Sequence, residues 1–158
     1  MPDSRRRLPP NNMMKKLYAI GLGPLVGRMV LLLTTTGRKT RLRRVTPLQY
    51  EQIDDNFYVA AGSGQSSDWF RNIVADPCVE VAVKSRRFQR QAEPITDPKR
   101  IADFLEYRLK HHPRMVGLIL RSDGLPARPN RAELEEYARR LALVIIHPEP
   151  VNSISQHG

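Results

Sequence analysis

The chain has 158 residues, 41% of them hydrophobic, which suits a single domain with a real core. Twenty-six Lys and Arg against 16 Asp and Glu give a net charge of +10. That charge favours anionic partners: nucleic acid, an anionic membrane surface, or a phosphorylated or polycarboxylate small molecule. The single cysteine, Cys78, excludes an internal disulfide and any multi-cysteine metal centre, and fits a reducing cytoplasm. His111, His112, His147 and His157 lack ligand spacing, so no metal site is expected.

Residues 1–12, with Arg5, Arg6, Arg7, Pro9 and Pro10, read as a disordered basic arm. Residues 13–27 read as a short amphipathic helix that packs on the body or lies on a membrane surface. They are neither an export signal nor a membrane span. Gly21, Gly23, Pro24 and Gly27 break the apolar run, and Arg28 ends it well short of the roughly 20 apolar residues a spanning helix needs.

Residues 29–36 form an apolar, β-branched run that predicts a strand, and residues 45–50 predict its partner. Between them lies a turn centred on Gly37, which is expected to supply a backbone φ that other residues resist. The turn carries Arg38, Lys39, Arg41, Arg43 and Arg44. So many cations repel one another until a polyanion sits among them. A solvated hairpin tip is the competing reading of this segment alone.

Asp54, Asp55 and Asn56 predict a turn into a strand over 57–61, giving a three-strand meander. The loop Gly62-Ser63-Gly64-Gln65-Ser66-Ser67 leads into a helix over 68–75, with Ser66 or Ser67 as N-cap. That arrangement is either an anion site at a helix start or an ordinary capped connection. No phosphate-binding glycine fingerprint is present. Strands over 79–83 and 88–94 flank a solvated basic turn at 84–87. Asp97 and Pro98 open an amphipathic helix with Ile101, Phe104, Leu105 and Leu109 on one face. Residues 115–120 form a short apolar helix or loop. Asn130 and Glu133 match a capping box before Leu134, Tyr137 and Leu141. A buried strand over 141–146 stops at Pro148, and residues 149–158 are a flexible tail. The predicted fold is α+β: a six-stranded antiparallel β-barrel over residues 13–148, with an inserted helix and C-terminal helices packed on it.

Leu31-Leu32-Leu33-Thr34-Thr35-Thr36-Gly37-Arg38-Lys39-Thr40, then Arg44 with Thr46-Pro47-Leu48, then Trp69, Asn72, Asp76-Pro77, Val79 and Val81 form a pattern. Together they resemble the deazaflavin-dependent nitroreductase family, of the split-barrel fold shared with pyridoxamine-phosphate oxidases. The likeness covers most of residues 29–95. It implies coenzyme F420, a deazaflavin with an anionic phosphate and oligoglutamate tail, and hydride transfer to a quinone, enone or nitro-type acceptor. By the same resemblance Arg38, Lys39, Thr40 and Arg44 hold the phosphate and tail, and Thr46 and Pro47 line the ring's approach. Ala61, Gly62, Ser63 and Gly64 would lie under the ring or phosphate. Apart from the resemblance, a water positioned by Ser63 or solvent at an open pocket mouth is the expected proton source, because a serine hydroxyl is a poor acid at neutral pH. Trp69 and Asn72 are expected to be structural.

The chain departs from that family's pattern at two places. Arg41 stands where glycine is common. Residues 112–118, His-Pro-Arg-Met-Val-Gly-Leu, replace a tyrosine-bearing segment of the nitroimidazole-reducing members, which leaves the proton donor open. The alternatives are an FMN-binding oxidoreductase on the same barrel, or a non-enzymatic carrier of flavin, haem or lipid. A nucleic-acid-binding module comes last, because aromatic platforms interleaved with cations are missing. The expected partner is a small-molecule hydride acceptor, with no specific nucleic acid. The expected setting is a cytoplasmic monomer or homodimer, with peripheral membrane contact through the N-terminal segment.

Overall fold

The computed structural model describes residues 30–148. The basic arm (1–12), the N-terminal helix (13–27) and the tail (149–158) lie outside the described residues. Seven strands occur in it: β1 (Val30–Thr36), β2 (Arg43–Gln49), β3 (Glu51–Ile53), β4 (Asn56–Ala61), β5 (Cys78–Val83), β6 (Arg86–Ile95) and β7 (Ala142–Ile146). They form one antiparallel sheet in the order β2-β1-β5-β6-β7-β4-β3.

The sheet curls because β6 gives different parts of its length to its two neighbours. Its first part pairs with β5, as in Val81 with Phe88, and its last residues pair with β7, as in Pro94 with Val144. The two edge strands, β2 and β3, are consecutive in the chain and meet at Tyr50. The predicted strand count of six is therefore corrected to seven. Strand 45–50 does not pair with 57–61, so the predicted meander is broken. The ribbon changes partners at Tyr50, where β2 leaves β1 and β3 takes up β4 (Gln52 with Phe57). Tyr50 and Glu51 are both buried, so burial does not alternate through the break, and the polar Glu51 hides that from a reading of apolar residues.

Inside the curl, Leu31, Leu33, Val59, Val81, Val144 and Ile146 form one core, closed by Phe70 and Ile73 of helix α1 (Asp68–Ala75). Outside it, helices α2 (Pro98–His111), α3 (Pro113–Ser122) and α4 (Arg131–Ala138) cover Leu143 and Ile145 with Ile101, Leu105, Leu120 and Leu134. All five β7 residues are buried because both faces of that strand are covered. Each such aliphatic side chain contributes roughly 1.5–3 kcal/mol by leaving water.

The helix starts follow their caps. The Asp97 carboxylate accepts from the Lys99 amide at 3.0 Å ahead of Pro98. Asn130 and Glu133 form both hydrogen bonds of the capping box, at 2.8 and 3.0 Å. Residues 115–120 belong to α3, which starts at Pro113 and buries Val116 and Leu120. No helix among the described residues is long and apolar enough to cross a membrane.

Candidate functional site: a basic groove at the β1–β2 turn

The β1–β2 turn is closed by two backbone bonds, Gly37 N–H to Leu42 O at 2.7 Å and Arg41 N–H to Gly37 O at 2.8 Å. Thr40 Oγ1 accepts from the Leu42 amide at 3.2 Å, so this hydroxyl serves the turn. Gly37 is needed for space and not for its φ. A Cβ there would sit 2.9 Å from Thr40 Oγ1 and 3.0 Å from Leu42 O, whereas the left-handed residue of the turn is Arg41, at φ 61°. The sequence expectation for Gly37 is corrected accordingly. Arg41 carries a conformation that costs about 1–2 kcal/mol for an L side chain.

Helix α1 faces this turn and holds it. Asn72 is buried on the helix, and its Nδ2 donates to Thr35 Oγ1 at 3.2 Å. Its Oδ1 accepts from the Arg38 backbone amide at 3.2 Å and from the Arg38 guanidinium at 2.9 Å. The same guanidinium reaches the Asp68 carboxylate at 3.2 Å. Arg38 is thus largely consumed in pinning the turn to α1, and the helix start already holds a carboxylate in Asp68 where an anion would gain from the helix dipole. Arg43 pairs with Glu80, which also meets Arg87 at 3.4 Å.

Between turn and helix lies a groove of about 760 Å³ that takes in Arg38, Lys39, Thr40, Arg44 and Thr46 from the predicted site. Gly37, Arg43, Val45, Asp68, Trp69 and Asn72 also line it. Among the described residues, Lys39, Arg41 and Arg44 make no ion pair. Of these exposed cations Lys39 and Arg44 line the groove and are left for a ligand, and both guanidinium and ammonium suit phosphate and carboxylate.

The other predicted residues sit elsewhere. Pro47 is farther along β2 and does not line this groove, nor does the Gly/Ser loop. Ala61 is buried in the inner core. Gly64 is buried at φ +65°, with an added Cβ only 2.6 Å from Arg140 O, so it fixes the loop against the chain entering β7. Gly62 and Ser63 are exposed, and the Ser63 carbonyl accepts from Ser66 Oγ at 2.7 Å. Ser67 occupies the N-cap position of α1 without a side-chain bond. Sequence reasoning missed the part of Asp68 in the groove, since an acidic first-turn residue reads as dipole complement and not as a clamp on a distant arginine.

Residues 11–116 match the family model of the F420H(2)-dependent quinone reductases. The chain belongs to that family. Its members are, by name, oxidoreductases that use reduced coenzyme F420. The chain is similar to the F420H(2)-dependent quinone reductase of Mycobacterium tuberculosis, 40% identical over 68 residues, which is 41% of this chain and 46% of the relative. The chain therefore spans about half the length of that relative. Two solved structures share the fold. An F420-H2 dependent reductase is 21% identical with a TM-score of 0.51, over 76% of this chain and 95% of the other. A pyridoxamine 5'-phosphate oxidase-like protein of Listeria innocua is 14% identical with a TM-score of 0.52, over 87% and 94%.

Proposed function

We propose that the chain is an oxidoreductase that passes a hydride from reduced coenzyme F420 to a quinone. The observation that carries the reading is the groove between the β1–β2 turn and α1, where Lys39 and Arg44 stand exposed without an ion pair among the described residues. The residues fit a polyanionic cofactor. Lys39 and Arg44 would hold phosphate and tail carboxylates, while Thr40 and Arg38 shape the turn that presents them. Thr46 and Trp69 give the groove a less polar wall, and Pro47, outside the groove, would line the ring's approach.

When bound, the reduced deazaflavin supplies the hydride. The chain's own share is binding, orientation and exclusion of water from the ring. No tyrosine lies on α3, whose Met115 sulfur instead meets Gln49 Nε2 at 3.8 Å. A quinone oxygen gains charge that a water can quench, whereas a nitro group depends more on a positioned acid. That difference favours quinone acceptors over nitro and enone acceptors. Ser63, which lies outside the groove, would position such a water.

The test is a fluorescence titration of the purified chain with oxidised coenzyme F420 and, separately, with FMN, at low and high salt, followed by turnover with a naphthoquinone. Tighter binding of the deazaflavin, weakened by salt, together with quinone reduction, supports the reading. Equal affinity for FMN without a salt response overturns it.

A further inference from the structure

The antiparallel pairing of β1 with β5, Thr34 opposite Glu80 and Leu32 opposite Ala82, sends the turn after β1 and the turn after β5 to opposite poles of the sheet. The basic groove occupies the first pole. At the second, the β3–β4 and β5–β6 turns frame a cavity of about 200 Å³. Its floor is aromatic. Tyr50 meets Phe57 edge-on at 5.2 Å, and Phe57 stacks on Phe88 at 5.9 Å with 15° between the rings. Three cations rim it, Lys84, Arg86 and Arg90, against the single carboxylate of Asp55. The Arg90 guanidinium lies 4.5 Å from the Phe88 ring centre, and that of Arg86 at 5.8 Å.

None of the three cations makes an ion pair among the described residues. Arg90 Nε is buried with no hydrogen-bond partner, although the neighbouring Nη1 donates to the Gln89 carbonyl at 2.8 Å. A buried donor left without an acceptor is costly, and like charges gathered over apolar rings add to that cost. The repulsion falls if an oxygen anion sits among the accessible head groups of Lys84, Arg86 and Arg90 while a flat apolar body rests on the rings. Phosphate or sulfate supplies only the first part and a neutral arene only the second. The volume of about 200 Å³ is ample for one aromatic ring bearing a carboxylate.

We propose that this pole is a second small-molecule site, which takes a single-ring aromatic carboxylate. The ring packs against Phe57 and Phe88, and the carboxylate meets the head groups of Arg90, Arg86 and Lys84. The site stands apart from the cofactor groove and does not depend on the proposed redox function.

Benzoate is the probe, followed by backbone amide NMR shifts and by calorimetry on the full chain. Benzoate is expected to shift amides at 55–57 and 83–90, to bind more tightly than cyclohexanecarboxylate, and to bind equally well with the deazaflavin groove saturated. Arg90→Gln should weaken binding by about tenfold, as loss of a charge-assisted bond does. Because Arg90 is partly buried, Arg86→Gln provides an exposed second variant, expected to weaken binding severalfold with the melting temperature unchanged. Three results would each overturn the proposal: no shift at millimolar benzoate, shifts confined to residues 37–46 that the deazaflavin abolishes, or affinity indifferent to both arginine variants.

Discussion

The Arg38 guanidinium donates to Asn72 Oδ1 at 2.9 Å, and the same oxygen accepts from the Arg38 backbone amide at 3.2 Å. One buried side chain thus holds both the backbone and the head group of the first cation in the basic turn. Replacing Asn72 by Leu keeps the volume but strands Thr35 Oγ1, an amide N–H and a guanidinium. The expected loss is about 2–4 kcal/mol in urea unfolding, the usual cost of breaking a buried polar network. Arg38→Ala should lower stability as well as cofactor affinity.

Lys39 and Arg44 should behave differently, since neither is held by a described neighbour. Each change to Ala should weaken deazaflavin binding by ~1–3 kcal/mol, the range for a charge-assisted bond, and flatten the salt dependence. The melting temperature should stay within a degree or so, because the apo turn loses only repulsion. Unfolding of either variant would assign that residue to structure.

Arg41 sits at φ 61° in a turn that tolerates glycine better. Arg41→Gly should stabilise the protein by about 1 kcal/mol, less the greater chain entropy that glycine adds to the unfolded state. Urea midpoints of the two proteins decide it. A destabilised variant would mean that the Arg41 side chain holds the turn through contacts of its own.

Gly64 offers the opposite case. With φ +65° and an added Cβ at 2.6 Å from the Arg140 carbonyl, Gly64→Ala meets both strain and backbone collision. A loss of roughly 2–4 kcal/mol is expected by chemical denaturation. Gly62→Ala, with nothing within 4 Å of the added Cβ, is the matched control.

Burial, and then the 2.5 Å bond to Asp123, push the Tyr137 phenol up to about 12. The unfolded phenol ionises near 10, so its contribution to stability is complete below that pH and is lost as pH rises through about 12. Phenolate absorbance of the wild type minus Tyr137→Phe should show this late step, and Asp123→Asn should bring it down. A step near 10 in the difference trace would contradict the buried bond.

The strands and helices were legible where a single face is buried. Val79, Val81 and Val83 alternate inward as the sequence predicts, and the Asn130 capping box stands as written. Strand order was not legible, because it depends on β6 giving its two parts to different neighbours and on a break at Tyr50, where the buried partner residue is the polar Glu51. In the site, the cationic turn was visible as a run of residues. Which cations are available was not, since Asn72 and Asp68 reach Arg38 from 34 and 30 residues away, and Glu80 reaches Arg43 from 37. Asn72 carried one signal: it is a polar residue on the same helix face as Trp69 and Ile73.

Strand β6 runs unbroken from Arg86 to Ile95, giving one end to the inner core through Phe88 and Ala92 and the other to the helix-covered core through Ile95. Neither core can melt without stripping the hydrogen-bond ladder from a strand the other requires. Heat or denaturant should therefore take residues 30–148 apart in a single cooperative transition, with inner-core and helical probes changing at the same midpoint.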